Sequence, residues 1–113
     1  MKAPVTIVRK PWGREIIYAK STRYIGKLLI IEKGHRLSLQ YHRRKHETIY
    51  ILEGRPVIRL GGRRVTARPG TAFIIPPKII HRFEAPYERV TLLEVSTPQA
   101  ADVVRLEDDY TRA

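Results

Sequence analysis

The sequence has no cysteine, which excludes a disulfide scaffold, a thiolate metal site and a cysteine nucleophile. Any bound metal must therefore have nitrogen and oxygen ligands. No run approaches the roughly 18 consecutive apolar residues that a membrane-spanning helix needs, and the first residues, Met1 to Pro4, do not begin a secretory signal. We expect a cytoplasmic protein with no membrane partner.

Acidic residues are scarce, with 11 Asp and Glu against 22 Lys and Arg and a net charge of +11. Such an excess favours anionic partners, which include nucleic acids, acidic lipids and phosphorylated metabolites. The basic residues are scattered along the chain, without a helix-turn-helix pattern, an RNA-binding aromatic string or a zinc finger. Nucleic acid is therefore not the expected partner, and a small anionic substrate is.

Helical periodicity is absent, and short β segments separated by turns replace it. The length of 113 residues predicts one domain, residues 1–113, with an acidic C-terminal arm from about residue 98 that is irregular, a short strand or a helix. Eight or nine strands favour an all-β sandwich or barrel. The predicted strands are Glu15 to Ala19, Lys27 to Lys33, Leu37 to His42, Glu47 to Leu52, Pro56 to Leu60, Arg63 to Ala67, Thr71 to Ile75, His81 to Glu84 and Arg89 to Ser96.

Histidine, glutamine and glutamate side chains are spaced as metal ligands could be. Gln40 and His42 are two residues apart on one strand, so their side chains leave the same face. Glu47 begins the next strand, and His81 lies near the start of a later one. Ligands from neighbouring strands can converge on one ion at about 2.0–2.2 Å, as Zn, Mn, Fe or Ni require. Spacing alone leaves open whether this is a metal site or a chance cluster.

Several stretches carry more specific motifs. They are Arg9-Lys10-Pro11-Trp12-Gly13, Gly34-His35-Arg36-Leu37-Ser38-Leu39-Gln40-Tyr41-His42, Gly70 to Pro76, His81-Arg82-Phe83-Glu84, Leu92 to Val95, and the tail Asp102 to Tyr110. Together they resemble the C-terminal cupin domain of type II mannose-6-phosphate isomerases, which bifunctional enzymes fuse to a mannose-1-phosphate guanylyltransferase. The chain has no Gly-rich phosphate loop, so guanylyltransferase chemistry is not expected.

The resemblance implies a double-stranded β-helix, a jelly-roll-like barrel, that commonly forms homodimers. It also implies one divalent metal ion, held by Gln40, His42, Glu47 and His81. The sequence departs from the family pattern at three positions, because Arg44 replaces a histidine, Lys45 an arginine and Thr48 a histidine. Arg44 cannot bind a metal, since a guanidinium has no available lone pair.

The function that the resemblance implies is isomerisation of mannose 6-phosphate to fructose 6-phosphate. We predict catalytic roles for Glu47 and Lys45, and the sequence leaves the identity of the proton-transfer base open. The basic run after His42 is either a solvated turn or a phosphate anchor; the predicted phosphate-binding residues are Arg43, Arg44 and Arg82. The alternatives are a non-catalytic cupin that binds a metal or a sugar phosphate, and a cupin enzyme with another small-molecule substrate.

Overall fold

The computed structural model describes residues 1–99 and 101–110, which form twelve β-strands and no helix. The predicted all-β class is confirmed. The strands are β1 (Thr6–Lys10), β2 (Gly13–Lys20), β3 (Ile25–Ile31), β4 (His35–Arg36), β5 (Leu39–His42), β6 (Glu47–Glu53), β7 (Val57–Leu60), β8 (Arg63–Thr66), β9 (Ala72–Ile75), β10 (His81–Ala85), β11 (Val90–Ser96) and β12 (Val103–Glu107).

The strands form two antiparallel sheets that enclose one core. The first sheet has the order β1-β2-β3-β11-β6-β9, and the second has the order β12-β5-β10-β7-β8, with β4 also paired to β10. Buried side chains of both sheets form one hydrophobic cluster, which includes Leu29, Ile49, Leu92, Ile58 and Phe83. This two-layer architecture, built from short strands, is that of the predicted double-stranded β-helix.

The sequence analysis did not predict strands β1 and β4, and it left the structure of the C-terminal tail open. Strand β1 alternates weakly and is mostly exposed at the edge of its sheet, while β4 has only two residues. Both therefore lack the apolar alternation that indicates a strand. Part of the predicted C-terminal arm is strand β12, which pairs with β5 from Val103 opposite His42. Residues 100 and 111–113 of the arm lie outside the described residues.

Strands β6 and β11 of the first sheet each have a polar end and an apolar end along the buried face. On β6 that face has Glu47, then Ile49 and Ile51. On β11 it has Leu92, then Glu94 and Ser96. The register places Ser96 opposite Glu47. Alternation along each strand thus gathers the polar residues at one end of the barrel and the apolar ones at the other.

The turn between β1 and β2 fixes one end of the barrel. Pro11 and Trp12 connect the strands, and Lys10 pairs with Gly13. Gly13 has a φ of 152°, and a Cβ there would lie 1.9 Å from the Ile30 carbonyl oxygen. Only glycine fits this close approach.

The described residues contain no helix long and apolar enough to cross a membrane.

Candidate metal centre

Two histidines and a glutamate converge at the polar end of the barrel. His42 on β5, Glu47 on β6 and His81 on β10 are all buried, and their ligand atoms lie within 4.8 Å of one another. His42 Nε2 lies 3.7 Å from Glu47 Oε2, and His81 Nε2 lies 3.5 Å from Glu47 Oε1. Ligands of one zinc-like ion lie about 3.4 Å apart when each bond is about 2.1 Å. These three side chains therefore fit a shared metal ion.

Main-chain carbonyl groups orient both imidazole rings. His42 Nδ1 lies 3.0 Å from the Asp102 carbonyl oxygen, and His81 Nδ1 lies 2.9 Å from the Ile79 carbonyl oxygen. Because a carbonyl oxygen only accepts, each Nδ1 carries the proton and each Nε2 lone pair faces Glu47. Among the described residues His81 Nε2 has no hydrogen-bond partner, and Glu47 Oε2 has an ion pair with Lys45 Nζ at 3.0 Å. Such buried atoms are suited to a metal ion.

The protonation state of His42 also suits a ligand. Burial, reinforced by the charge of Lys45, lowers the pKa of His42 from 6.5 to about 4. The imidazole is therefore neutral near pH 7. A neutral imidazole is the form that binds metals.

Gln40 lies beside this cluster, as the sequence predicts. Ser38 Oγ donates to Gln40 Oε1 at 2.6 Å, and Gln40 Nε2 lies 3.4 Å from His42 Nε2. In this orientation the amide nitrogen faces the imidazole. The amide must flip before its oxygen can join His42, Glu47 and His81 as a ligand, so the ligand role of Gln40 stays a prediction.

A cavity of about 180 Å³ opens beside the cluster, between the two sheets. Gln40, His42 and Glu47 line it together with the buried ring of Trp12. Its size suits a small metabolite. Charged side chains from five strands complete the wall: Lys10, Glu15, Lys20, Lys27, Glu94 and Arg105.

Comparison with known protein families identifies the fold. The family model described as "Cupin domain" matches residues 27–96, more than half of the chain. The chain belongs to the cupin family. No curated protein was found to match the sequence of this cupin.

Solved structures support this assignment at the level of the fold. KdgF from Halomonas sp. superposes with a TM-score of 0.77 and 20% identity, over 88% of this cupin and 90% of that chain. An RmlC-like cupin from Shewanella frigidimarina gives 0.77 and 18%, over 87% of each chain. A Streptomyces PAC13 variant with uridine gives 0.76 and 18%, over 92% of this cupin and 85% of that chain.

Of the three departures from the isomerase pattern, only Lys45 reaches the site of this cupin. Lys45 is buried, and its Nζ lies 3.0 Å from Glu47 Oε2 and 3.2 Å from Glu94 Oε2. Arg44 is exposed, and Thr48 is exposed because it follows the inward-facing Glu47 on β6. Arg44 and Thr48 therefore lie outside the buried cluster of His42, Glu47 and His81.

The Lys45 ammonium is a fixed positive charge beside His42, Glu47 and His81. Burial lowers the pKa of Lys45, but the charges of Glu94 and Glu47 outweigh burial, and the net pKa is raised. Lys45 is therefore protonated at neutral pH. It can donate a hydrogen bond or stabilise an anion, but it is a poor base.

Sequence reasoning missed the charges that continue from Lys45 across the first sheet. Lys27 Nζ lies 3.8 Å from Glu94 Oε2 and 3.0 Å from Glu15 Oε2. Acidic and basic groups thus alternate from Glu15 on β2 through Lys27 on β3 and Glu94 on β11 to Lys45. One available signal was the sequence Leu92-Leu93-Glu94-Val95-Ser96, where Glu94 shares a strand face with the apolar Leu92.

The arginines predicted to bind phosphate lie outside the lining of the cavity. Arg43 and Arg44 are exposed on the turn after β5, where the Asp102 carboxylate accepts the Arg44 N–H at 2.6 Å. Arg82 is buried, and its Nε donates to the Leu37 carbonyl oxygen at 2.9 Å. Their phosphate-binding role stays a prediction. The basic residues that line the cavity are Lys10, Lys20, Lys27, Lys45 and Arg105.

Proposed function

We propose that this cupin is a metal-dependent aldose–ketose isomerase that acts on a phosphorylated sugar, with mannose 6-phosphate to fructose 6-phosphate as the first reaction to test. One observation carries the proposal: His42, Glu47 and His81 present a carboxylate and two imidazole lone pairs beside a small cavity that both acidic and basic side chains line. The resemblance to the type II isomerases supplies the substrate class.

His42, Glu47 and His81 would hold the ion, with Gln40 as a fourth ligand. A bound divalent ion supplies a Lewis acid that stabilises negative charge on the sugar's O1 and O2. The donor set contains nitrogen and oxygen only, which suits Zn, Mn, Fe or Ni. The second ring nitrogens of both histidines donate to carbonyl oxygens and hold the rings in place.

The buried charged groups beside these ligands would move the proton. The conversion of an aldose to a ketose removes a proton from C2, returns it to C1, and moves the hydroxyl proton from O2 to O1. Lys45 stays protonated and donates to a sugar oxygen as charge develops there. Glu47 or Glu94 can carry the carbon-bound proton as a carboxylate base, and both lie within 3.2 Å of Lys45 Nζ.

The test compares His42→Ala with His46→Ala, because His46 is exposed and outside the cluster. We expect near-stoichiometric metal, measured by elemental analysis, in the parent and in His46→Ala, and little in His42→Ala. Turnover of mannose 6-phosphate should follow the metal content. Full turnover in metal-free His42→Ala, or no turnover in the metal-loaded parent, would contradict the isomerase.

A second candidate is a cupin that binds a metal or a sugar phosphate without turnover. The contact between Lys45 Nζ and Glu47 Oε2, at 3.0 Å, favours it, because a carboxylate that is paired with an ammonium is a weaker base for proton transfer. Calorimetric binding of mannose 6-phosphate to a metal-loaded but inactive protein would support this candidate. Uridine, the molecule seen with PAC13, is the first alternative ligand to try.

A further inference from the structure

We propose that Arg105, assisted by Lys10 and Lys20, forms an anion-binding subsite at the mouth of the cavity that holds the phosphate of a small phosphorylated metabolite. The inference rests on the proposed function for its choice of substrate. In this proposal the phosphate binds at Arg105 and not at the turn that contains Arg43 and Arg44.

The mouth lies between the β1–β2 side of the first sheet and the edge strand β12 of the second. Strands β1 and β2 form one border and provide Lys10 and Lys20, while β12 forms the other and provides Arg105. Lys20 and Arg105 are exposed and Lys10 is half-buried, yet all three line the cavity. Their charged groups can therefore reach a ligand that enters from solvent.

The charges of the cavity are divided between its interior and its mouth. Inside, three carboxylates face two ammonium groups, and each ammonium is paired: Lys27 with Glu15, and Lys45 with Glu47 and Glu94. No described residue forms an ion pair or side-chain hydrogen bond with Lys10, Lys20 or Arg105. The interior is thus suited to a cation, and the mouth retains three unpaired positive charges for an anion.

The register connects Arg105 to the metal cluster. Arg105 pairs directly with Gln40 across β12 and β5, and Val103 pairs with His42. Directly paired residues on antiparallel strands have side chains on the same face and Cα atoms about 5 Å apart. One small molecule can therefore contact Arg105 with its anionic group and reach Gln40 and His42 with its other end.

The chemistry of the side chain also favours Arg105 over the two lysines. A guanidinium binds phosphate through two parallel hydrogen bonds, whereas an ammonium acts as a point charge. Lys10 and Lys20 lie near opposite ends of β2, so they surround the mouth instead of forming one pocket. Arg105 supplies the directional contact, and the lysines supply the positive field.

The experiment measures binding, so it does not depend on turnover. Inorganic phosphate, mannose 6-phosphate and uncharged mannose are titrated by calorimetry into the metal-loaded protein and into Arg105→Gln, Arg43→Gln and Arg44→Gln. We expect Arg105→Gln to bind both phosphates at least tenfold more weakly, with mannose unchanged. Arg43→Gln and Arg44→Gln remove the same charge outside the cavity and should bind like the parent.

Three results would overturn the subsite: no phosphate binding by the parent, equal affinity in Arg105→Gln, or a loss that follows Arg43→Gln or Arg44→Gln instead. Arg105→Lys keeps the charge without the bidentate geometry, so it should recover only part of the affinity. Thermal unfolding of each variant confirms that the fold is retained. A protein that binds phosphate through Arg105 without isomerising any sugar would contradict the proposed reaction and leave the subsite standing.

Discussion

Lys45 and a metal ion compete for the same carboxylate. The ammonium lies 3.0 Å from Glu47 Oε2, while His42 Nε2 and His81 Nε2 lie 3.7 and 3.5 Å from the Glu47 carboxylate. Two positive groups so close to one buried carboxylate repel each other strongly, because the low-dielectric interior screens them weakly. A bound ion would therefore weaken the contact with Lys45, which retains Glu94 as a partner at 3.2 Å.

We predict that Lys45→Met binds zinc at least tenfold more tightly than the parent and isomerises sugar phosphate more slowly. The variant removes a positive charge beside the ion and also removes the proton donor, so affinity and turnover move in opposite directions. A competition titration against a zinc chelator measures the affinity. Lys33→Met, which changes an exposed lysine, is the control. Weaker zinc binding by a folded Lys45→Met would show that Lys45 supports the site instead of competing with the ion.

The sequence predicted those site residues whose relative position follows from their spacing along one strand. Gln40 and His42 share a strand, and their common face follows from their separation alone. Glu94 and Lys27 are neighbours only because β11 pairs with β3 in one register, with Glu94 directly opposite Lys27. Asp102 reaches the Arg44 N–H from 58 residues away. No local pattern encodes these distant pairings.

At the scale of the elements, alternation and turn residues predicted most strands. The Gly61-Gly62 hairpin is confirmed, with Leu60 paired to Arg63 across it. Strand β6 was predicted from its β-branched and aromatic residues, and its buried positions alternate from Glu47 to Ile51. Strand β12 was left open between strand, helix and irregular arm, because its acidic flanks hide a short run that is ordered by pairing with β5.

The turn before β2 offers a prediction about how one element holds the site. We expect Gly13→Ala to lower the free energy of unfolding by roughly 3 kcal/mol or more, because a Cβ would lie 1.9 Å from the Ile30 carbonyl oxygen at a φ of 152°. The displacement of β2 from β3 would also separate Glu15 from Lys27. Urea unfolding measures the change in stability.

Gly62→Ala is the matched control for that experiment. Gly62 lies in the β7–β8 hairpin, and a Cβ there would meet nothing within 4 Å. Its effect should stay within about 0.5 kcal/mol. Equal stability of Gly13→Ala and the parent would mean that the β2–β3 contact can relax without cost.

At the scale of the whole molecule, the strand pattern predicted an all-β sandwich or barrel but not which strands would be neighbours. The choice of a double-stranded β-helix came from the resemblance, since eight or nine strands fit several sandwiches and barrels equally well. The order β1-β2-β3-β11-β6-β9 places β3, an early strand, beside β11, a late one, in the same sheet. That order determines what the outer face presents to solvent.

The outer face of the first sheet is apolar across its full width. One continuous register row crosses all six strands and consists of Ile7, Ile16, Leu28, Leu93, Tyr50 and Ala72. In the next row, Val95 pairs with Thr48, and Thr48 pairs with Ile74. Six strands at about 4.8 Å spacing make the row about 24 Å wide. A continuous apolar surface on a chain of net charge +11 indicates a protein–protein interface more than a face exposed to solvent.

A second copy of the chain fits this face, because an apolar row can pair with itself about a two-fold axis. We therefore predict a homodimer in solution. Val95 lies on the central strand β11 and is 53% exposed, so Val95→Glu should give a folded monomer in sedimentation equilibrium. Val65→Glu introduces the same charge on β8 of the other sheet, where Val65 is 41% exposed, and should leave the dimer intact. A dimer that survives Val95→Glu but not Val65→Glu would place the interface on the second sheet. A new carboxylate destabilises the dimer only where the partner subunit buries it.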